Sequence, residues 1–245
     1  MAQTPRPAAT DGAKIVYLIK RRADTAREEL VMHWFANHMP DVIHTQLRNF
    51  EKGRRHATKY IATLFDADDN GAHPWDGMAQ LWWDAPLNRP AVAHGTEPTD
   101  TFQQKAEPYL PWATTEYVIL DGQLPVEPLT LNDPYPTTRS GFFKVTFLLT
   151  NKPGVEPAAL FDHWLEVHVP NVRGVMEQVG GFRYVVSLSL EPHLEPYAGM
   201  AELYYHTESD WIDYRKLITD DGMGELVDAD ATLRLHSHVQ MIGIP

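Results

Sequence analysis

Two histidines, His38 and His168, occupy the same local sequence 130 residues apart (168 − 38). His38 ends the run His33-Trp34-Phe-Ala-Asn-His38 before Met39-Pro40, and His168 ends His163-Trp164-Leu-Glu-Val-His168 before Val169-Pro170. An imidazole changes charge near neutral pH, so a histidine held in an apolar setting is suited to moving protons. Leu30, Trp34 and His38 are spaced i, i+4, i+8, and Leu160, Trp164 and His168 repeat that stripe, which turns each histidine toward the core side of a helix. Pro40 and Pro170 disfavour helical geometry at the residue before them, so each helix is expected to break or kink just past its histidine and leave the ring in a last turn. There the helix dipole favours the imidazolium while burial favours the neutral ring, a balance that suits a proton shuttle. The plainer role for the same residue is a core histidine that donates one hydrogen bond to a loop carbonyl.

Other residues could join this chemistry. Tyr17 on the opening strand and Glu202 on a central strand of the second half are candidate acid/base groups beside His38 and His168. Glu202 is expected to be buried between Met200 and Tyr204, which raises a carboxylate's pKa unless a cation such as Lys144 or Arg183 pairs with it. Trp34, Trp82, Phe147, Trp164 and Tyr204, with Gln80, are candidate walls for a flat hydrophobic ligand such as a phenol or polyketide. Arg234, His236, His238 and Gln240 alternate along the last strand and could face solvent or line a cavity of the second half. No metal site is expected: His33 and His38 stand at i, i+5, on different helix faces, and the chain has no cysteine.

The elements that must position these groups come twice. Lys14-Ile-Val-Tyr-Leu-Ile returns as Lys144-Val-Thr-Phe-Leu-Leu at the same shift of 130 (144 − 14), and Trp75-Asp-Gly-Met-Ala-Gln-Leu-Trp-Trp returns as Tyr197-Ala-Gly-Met-Ala-Glu-Leu-Tyr-Tyr at 122 (197 − 75). Each copy reads strand, helix, strand, strand, helix, strand, with strands near 13–20, 58–66, 75–83 and 114–120 and again near 142–150, 181–190, 197–206 and 233–243. That is the ferredoxin-like split βαβ order. The opening strand is apolar on both faces while helices cover one face of such a sheet, so the duplicate is expected to supply a second sheet. The predicted fold is α+β: two ferredoxin-like (βαββαβ) repeats forming a fused dimeric α/β barrel. Residues 1–12 are read as a disordered tail, 13–121 as the first repeat, 122–140 as a Pro-rich linker and 141–245 as the second repeat.

Composition narrows the partners. A net charge of −12 opposes attraction to nucleic acid or anionic lipid, so neither partner is expected. Apolar runs are far shorter than the roughly 18 residues a spanning helix needs, and the first dozen residues lack the apolar core of a signal peptide, so the expectation is a cytoplasmic protein. A Walker A loop, a Rossmann glycine fingerprint and a nucleophile elbow are all lacking, which argues against nucleotide cofactors.

The H-W-x-x-x-H-x-P pattern at His33–Pro40 and His163–Pro170, following a strand that opens on lysine, resembles the EthD family of dimeric α/β-barrel proteins. The resemblance covers both copies. The wider superfamily includes cofactor-independent monooxygenases, polyketide cyclases, dehydratases, lactone isomerases and haem enzymes, and the resemblance implies that His38 and His168 are the functional positions. The expected function is cofactor-independent histidine acid/base chemistry (dehydratase, lyase, cyclase or isomerase) on a small aromatic or carbonyl substrate in a catabolic setting. The alternatives are a cofactor-free monooxygenase of aromatic or polyketide substrates, a non-catalytic accessory or binding protein, and a haem protein ligated through a helix histidine. Pairing of two fused chains into a homodimer is left open.

Overall fold

Runs of alternating β-branched and aromatic residues form the strands, and the two histidine stripes form the long helices, as the residue periods require. The computed structural model describes residues 6–67, 74–124 and 135–245. Residues 1–5 of the expected tail, and Pro125, Pro128 and Pro134 of the expected linker, lie outside the described residues.

The first repeat contains β1 (Ala13–Ile19), α1 (Arg27–His33), α2 (Met39–Glu51), β2 (Lys59–Leu64), β3 (Gly77–Trp83), α3 (Thr101–Lys105) and β4 (Trp112–Asp121). After a short strand β5 (Thr137–Arg139), the second runs through β6 (Phe143–Leu149), α4 (Pro157–His163), α5 (Val169–Gln178), β7 (Gly181–Ser189), β8 (Gly199–Tyr205), α6 (Glu208–Leu217), β9 (Leu233–Ser237) and β10 (Val239–Ile244). The expected βαββαβ order is thus present in each half.

The chain forms two compact units that do not coincide with the two stretches of repeated sequence. The first unit combines Gly12–Ala113 with His238–Pro245 and the described part of Leu124–Ser140; the second combines Thr114–Gln123 with Gly141–Ser237 and the described part of Met1–Asp11. Within the first unit the antiparallel strand order is β5-β10-β2-β3-β1, and within the second it is β4-β7-β8-β6-β9. The single last strand expected near 233–243 is in fact two: β9 pairs with β6, and after His238 β10 pairs with β2. In the same way β4, written in the first repeat, pairs with β7 from Thr114↔Ser189 to Asp121↔Arg183.

The histidine helices do not break where prolines suggested. Between α1 and α2 the residues Trp34–His38 form a single π-helical turn, closed by the Met39 N–H donating to the Trp34 carbonyl, and the helix then continues through Pro40. Trp164–His168 do the same, with the Val169 N–H donating to the Trp164 carbonyl. The wider i→i+5 turn gives the proline ring room beside the backbone that an α turn would deny it, so the chain keeps helical direction. His38 and His168 therefore sit inside continuous helices, and the terminal-dipole argument does not apply to them. Ala26 caps α1 without a side-chain hydrogen bond, and a capping box forms at Thr207–Asp210, ahead of α6.

Each unit has its own core. In the first, Trp34, Met39 and Ile43 of the helix pack on Ile19, Tyr60, Ala62, Ala79 and Leu81 of the sheet; in the second, Trp164, Val169 and Val172 pack on Tyr184, Val186, Ala201 and Leu203. Truncating a buried tryptophan such as Trp34 or Trp164 costs about 3–5 kcal/mol. The tryptophans also explain a glycine pair. A Cβ at Gly77 would lie 2.6 Å from the Thr63 carbonyl oxygen and 3.0 Å from the Trp34 ring, and one at Gly199 would lie 2.8 Å from the Trp164 ring and 2.9 Å from the Ser187 oxygen.

Candidate active site

The π turn and the start of α2 place His38 against α3. Its Nδ1 lies 2.6 Å from Asp100 Oδ2, and its ring packs against Phe102 at a tilt of 31° with centroids 4.5 Å apart. Asp100 is the N-cap of α3, its Oδ1 accepting the Gln103 N–H at 2.8 Å. Burial works to raise the Asp100 pKa, but the hydrogen bonds from His38 and the Gln103 backbone outweigh it and hold the carboxyl below its ordinary value. An ionised carboxylate only accepts hydrogen bonds, so Nδ1 of His38 carries the proton and the neutral ring keeps its lone pair on Nε2. No other described residue bonds that ring, and His38 lines a cavity of about 190 Å³.

The rest of this cavity is aromatic with a few polar tips. Trp34, Tyr60, Leu81, Trp83 and Phe102 supply apolar wall, while Tyr17, Gln46, His94, Gln103 and Tyr109 bring polar atoms. Trp34 Nε1 donates to the Tyr60 hydroxyl at 3.1 Å, and Gln103 Nε2 donates to the Tyr109 hydroxyl at 3.3 Å. Tyr17 stands edge-on to both His94 and Tyr109, each at 5.9 Å between centroids. Burial pushes the Tyr17 phenol up to about 12 and raises Tyr109 as well, so both remain protonated donors near neutral pH. His94 is shifted the other way, lowered first by burial and then by the charge of His38.

The second unit repeats the dyad. His168 Nδ1 lies 2.8 Å from Asp221 Oδ2, which also accepts from Asn171 Nδ2 at 2.8 Å, while Asp221 Oδ1 accepts the Met223 N–H at 3.1 Å. Burial opposes ionisation of Asp221, yet the bonds from His168 and Asn171 depress its pKa far below the carboxylate range. His168 lines a cavity of about 300 Å³ whose wall is Phe147, Leu149, Trp164, Val172, Tyr184, Ala201, Leu203, Trp211, Tyr214 and Ile218, with Arg215 at its lining as well.

His38, Tyr17 and Trp34 thus meet in one cavity, and His168, Trp164 and Phe147 in the other. Glu202, Gln80, Trp82 and Tyr204 do not reach either cavity. The cavity-facing residues of the third strands are Ala79, Leu81 and Trp83 in the first unit and Ala201 and Leu203 in the second, so the alternate residues lie on the opposite sheet face. There Glu202 Oε1 accepts from Lys144 Nζ at 2.7 Å with both side chains essentially sealed from solvent, the ion-pair alternative foreseen for it. Removing one partner of such a pair costs about 3–5 kcal/mol because a buried charge is left alone. Trp82 lies under Lys14 and Lys59, whose Nζ atoms are 5.2 and 5.4 Å from the ring centroid, and Tyr204 under Lys144 at 4.9 Å. The polar residues of the last strand line neither cavity; Gln240 is held instead by Arg139 and Thr63.

Asp100, Asp221, His94 and Arg215 were not foreseen. A signal for the aspartates exists: Asp100 and Asp221 are 121 apart (221 − 100), one less than the shift of the third strands. Among the described residues no cluster of three or more acidic or histidine side chains could hold a metal ion.

Residues 152–232, which contain the second copy of the helix motif, match the family model of the EthD domain. A comparison with curated proteins returns no match. Among solved structures, an anthrone oxidase-like protein superposes with a TM-score of 0.54 at 11% identity, covering 96% of this chain and 94% of its own. A candidate monooxygenase of Fusobacterium nucleatum superposes with a TM-score of 0.50 at 11% identity, covering 94% and 93%. The chain therefore shares its α+β fold with these two proteins over nearly its whole length. Among the described residues no helix is long and apolar enough to cross a membrane.

Proposed function

We propose that the first unit is a cofactor-independent acid/base enzyme in which His38 Nε2 removes a proton from a small neutral phenol or from the carbon beside an aryl ketone. The observation that carries this reading is the 2.6 Å bond between His38 Nδ1 and the ionised Asp100, in a cavity lined mainly by aromatic rings. Asp100 fixes the tautomer and stabilises the imidazolium that forms as Nε2 takes the proton. Tyr17 and Tyr109, held protonated by burial, supply hydroxyl donors for the developing oxyanion. The His38 imidazolium then returns that proton to a different substrate atom, while His94, disfavoured as a cation by burial, remains a neutral hydrogen-bonding group of the cavity. Isomerisation, dehydration, lyase and cyclisation steps can all proceed from the resulting enolate or phenolate.

A second reading, oxygenation without a cofactor, begins with the same proton removal and continues by reaction of that anion with dioxygen; the anthrone oxidase-like and candidate monooxygenase folds favour keeping it. The test uses 1-indanone in deuterated buffer, reading deuterium at its α-carbon by NMR while oxygen consumption is followed in parallel. The wild type exchanges the α-proton, and His38→Ala lowers the rate by about 10²–10⁴-fold, with Asp100→Asn falling in the same direction and both variants retaining their circular dichroism. Oxygen uptake would move the assignment to oxygenation. Exchange that is no faster than buffer, or unchanged in His38→Ala, overturns the acid/base reading in favour of an accessory binding protein.

A further inference from the structure

The second cavity has the same dyad but a different companion. The first cavity is lined by His94, from the segment ahead of α3, whereas the second is lined by Arg215, from α6. A guanidinium is charged at every accessible pH. Arg215 lies on the exposed side of α6, with its guanidinium 6.0 Å from the centre of the buried Trp211 ring, and the wall beside it is Tyr214 and Ile218. Its neighbours on that helix satisfy one another: Lys216 pairs with Asp213 at 2.7 Å, and Asp210 closes the capping box with Thr207. Arg215 has no carboxylate partner among the described residues.

An apolar chamber of about 300 Å³, walled by Phe147, Trp164, Tyr184, Trp211 and Tyr214 and bearing one unpaired guanidinium, is complementary to a flat hydrophobic body with a single anionic end. From this we infer that the second cavity binds an aryl carboxylate, its ring among the aromatic walls and its carboxylate on Arg215. The cavity is a ligand site distinct in charge preference from the first, which meets a neutral substrate with His94. Nothing in this inference depends on turnover in the first unit.

Isothermal titration of the full chain with 2-naphthoate and with its neutral near-isostere 2-naphthamide tests it, using protein whose first cavity is filled by Ala79→Phe. The acid is expected to bind with one site per chain, at least tenfold tighter than the amide. Arg215→Gln, a change on the exposed helix side that should not disturb folding, brings the two affinities within about twofold, and Arg215→Lys recovers part of the difference. Ala201→Phe, which fills the second cavity, abolishes binding. Equal affinity for acid and amide in the parent, an undiminished preference in Arg215→Gln, or binding that survives Ala201→Phe each overturns the proposal. Should Ala201→Phe fail to fold, the Arg215→Gln result alone decides. Failure of these titrations leaves the exchange assay at His38 untouched, so the two readings fall separately.

Discussion

The two cavities of this chain hold one dyad in two settings. His38–Asp100 shares its cavity with His94, Tyr17 and Tyr109, whereas His168–Asp221 shares its cavity with Phe147, which the repeat sets where Tyr17 stands, and with Arg215 of α6. Proton transfer needs more than a base: it needs donors that stabilise the oxyanion. Phe147 cannot donate, and a guanidinium stays protonated near neutral pH, so it serves neither as general acid nor as base. Duplication thus preserved the positioning device while the surrounding groups diverged into a protic set and a cationic one.

That contrast can be broken most forcefully at the dyads themselves. His168→Ala is expected to leave 1-indanone exchange within about twofold of wild type while His38→Ala loses two or more orders of magnitude; equal losses would show that both cavities catalyse. A smaller and symmetric effect is expected at the glycines facing the tryptophans. Gly77→Ala and Gly199→Ala should each destabilise by about 1–3 kcal/mol in urea melts, because a methyl group there overlaps strand carbonyl and indole ring alike. A neutral result at only one of them would show that the two cores have diverged in packing as well as in chemistry.

The finest test concerns His94 alone. Its folded-state pKa is lowered, so as pH falls through the ordinary imidazole value of about 6.5 the unfolded chain takes up the proton before the folded one does. Stability should therefore decline with falling pH across that window, and His94→Gln should flatten the decline. An NMR titration should place the His94 midpoint below the ordinary value, with His38→Ala moving it part of the way back up, since burial is the larger cause and the His38 charge the lesser.

Much of this was legible in residue order. The strands, the doubling and the paired helix histidines follow from periods and shifts that survive any loop. The phase of the third strands was not, because Trp82-Trp83 and Tyr204-Tyr205 put aromatic residues on both faces and alternation cannot choose between them. The π turns were hidden by the habit of reading Pro40 and Pro170 as breaks, when an added backbone residue accommodates them. Asp100 and Asp221 lie outside the apolar segments that announce the repeat, on polar stretches where an aspartate looks like ordinary loop.

The placement of β4 and β10 has a genetic corollary. Each half of the coding sequence carries a strand that finishes the sheet built by its sibling, so no single cut yields a piece with its own full complement of strands. Either half, inherited or transplanted alone, would arrive with one strand surplus and another missing. What began as two modules has become, for recombination, an indivisible one.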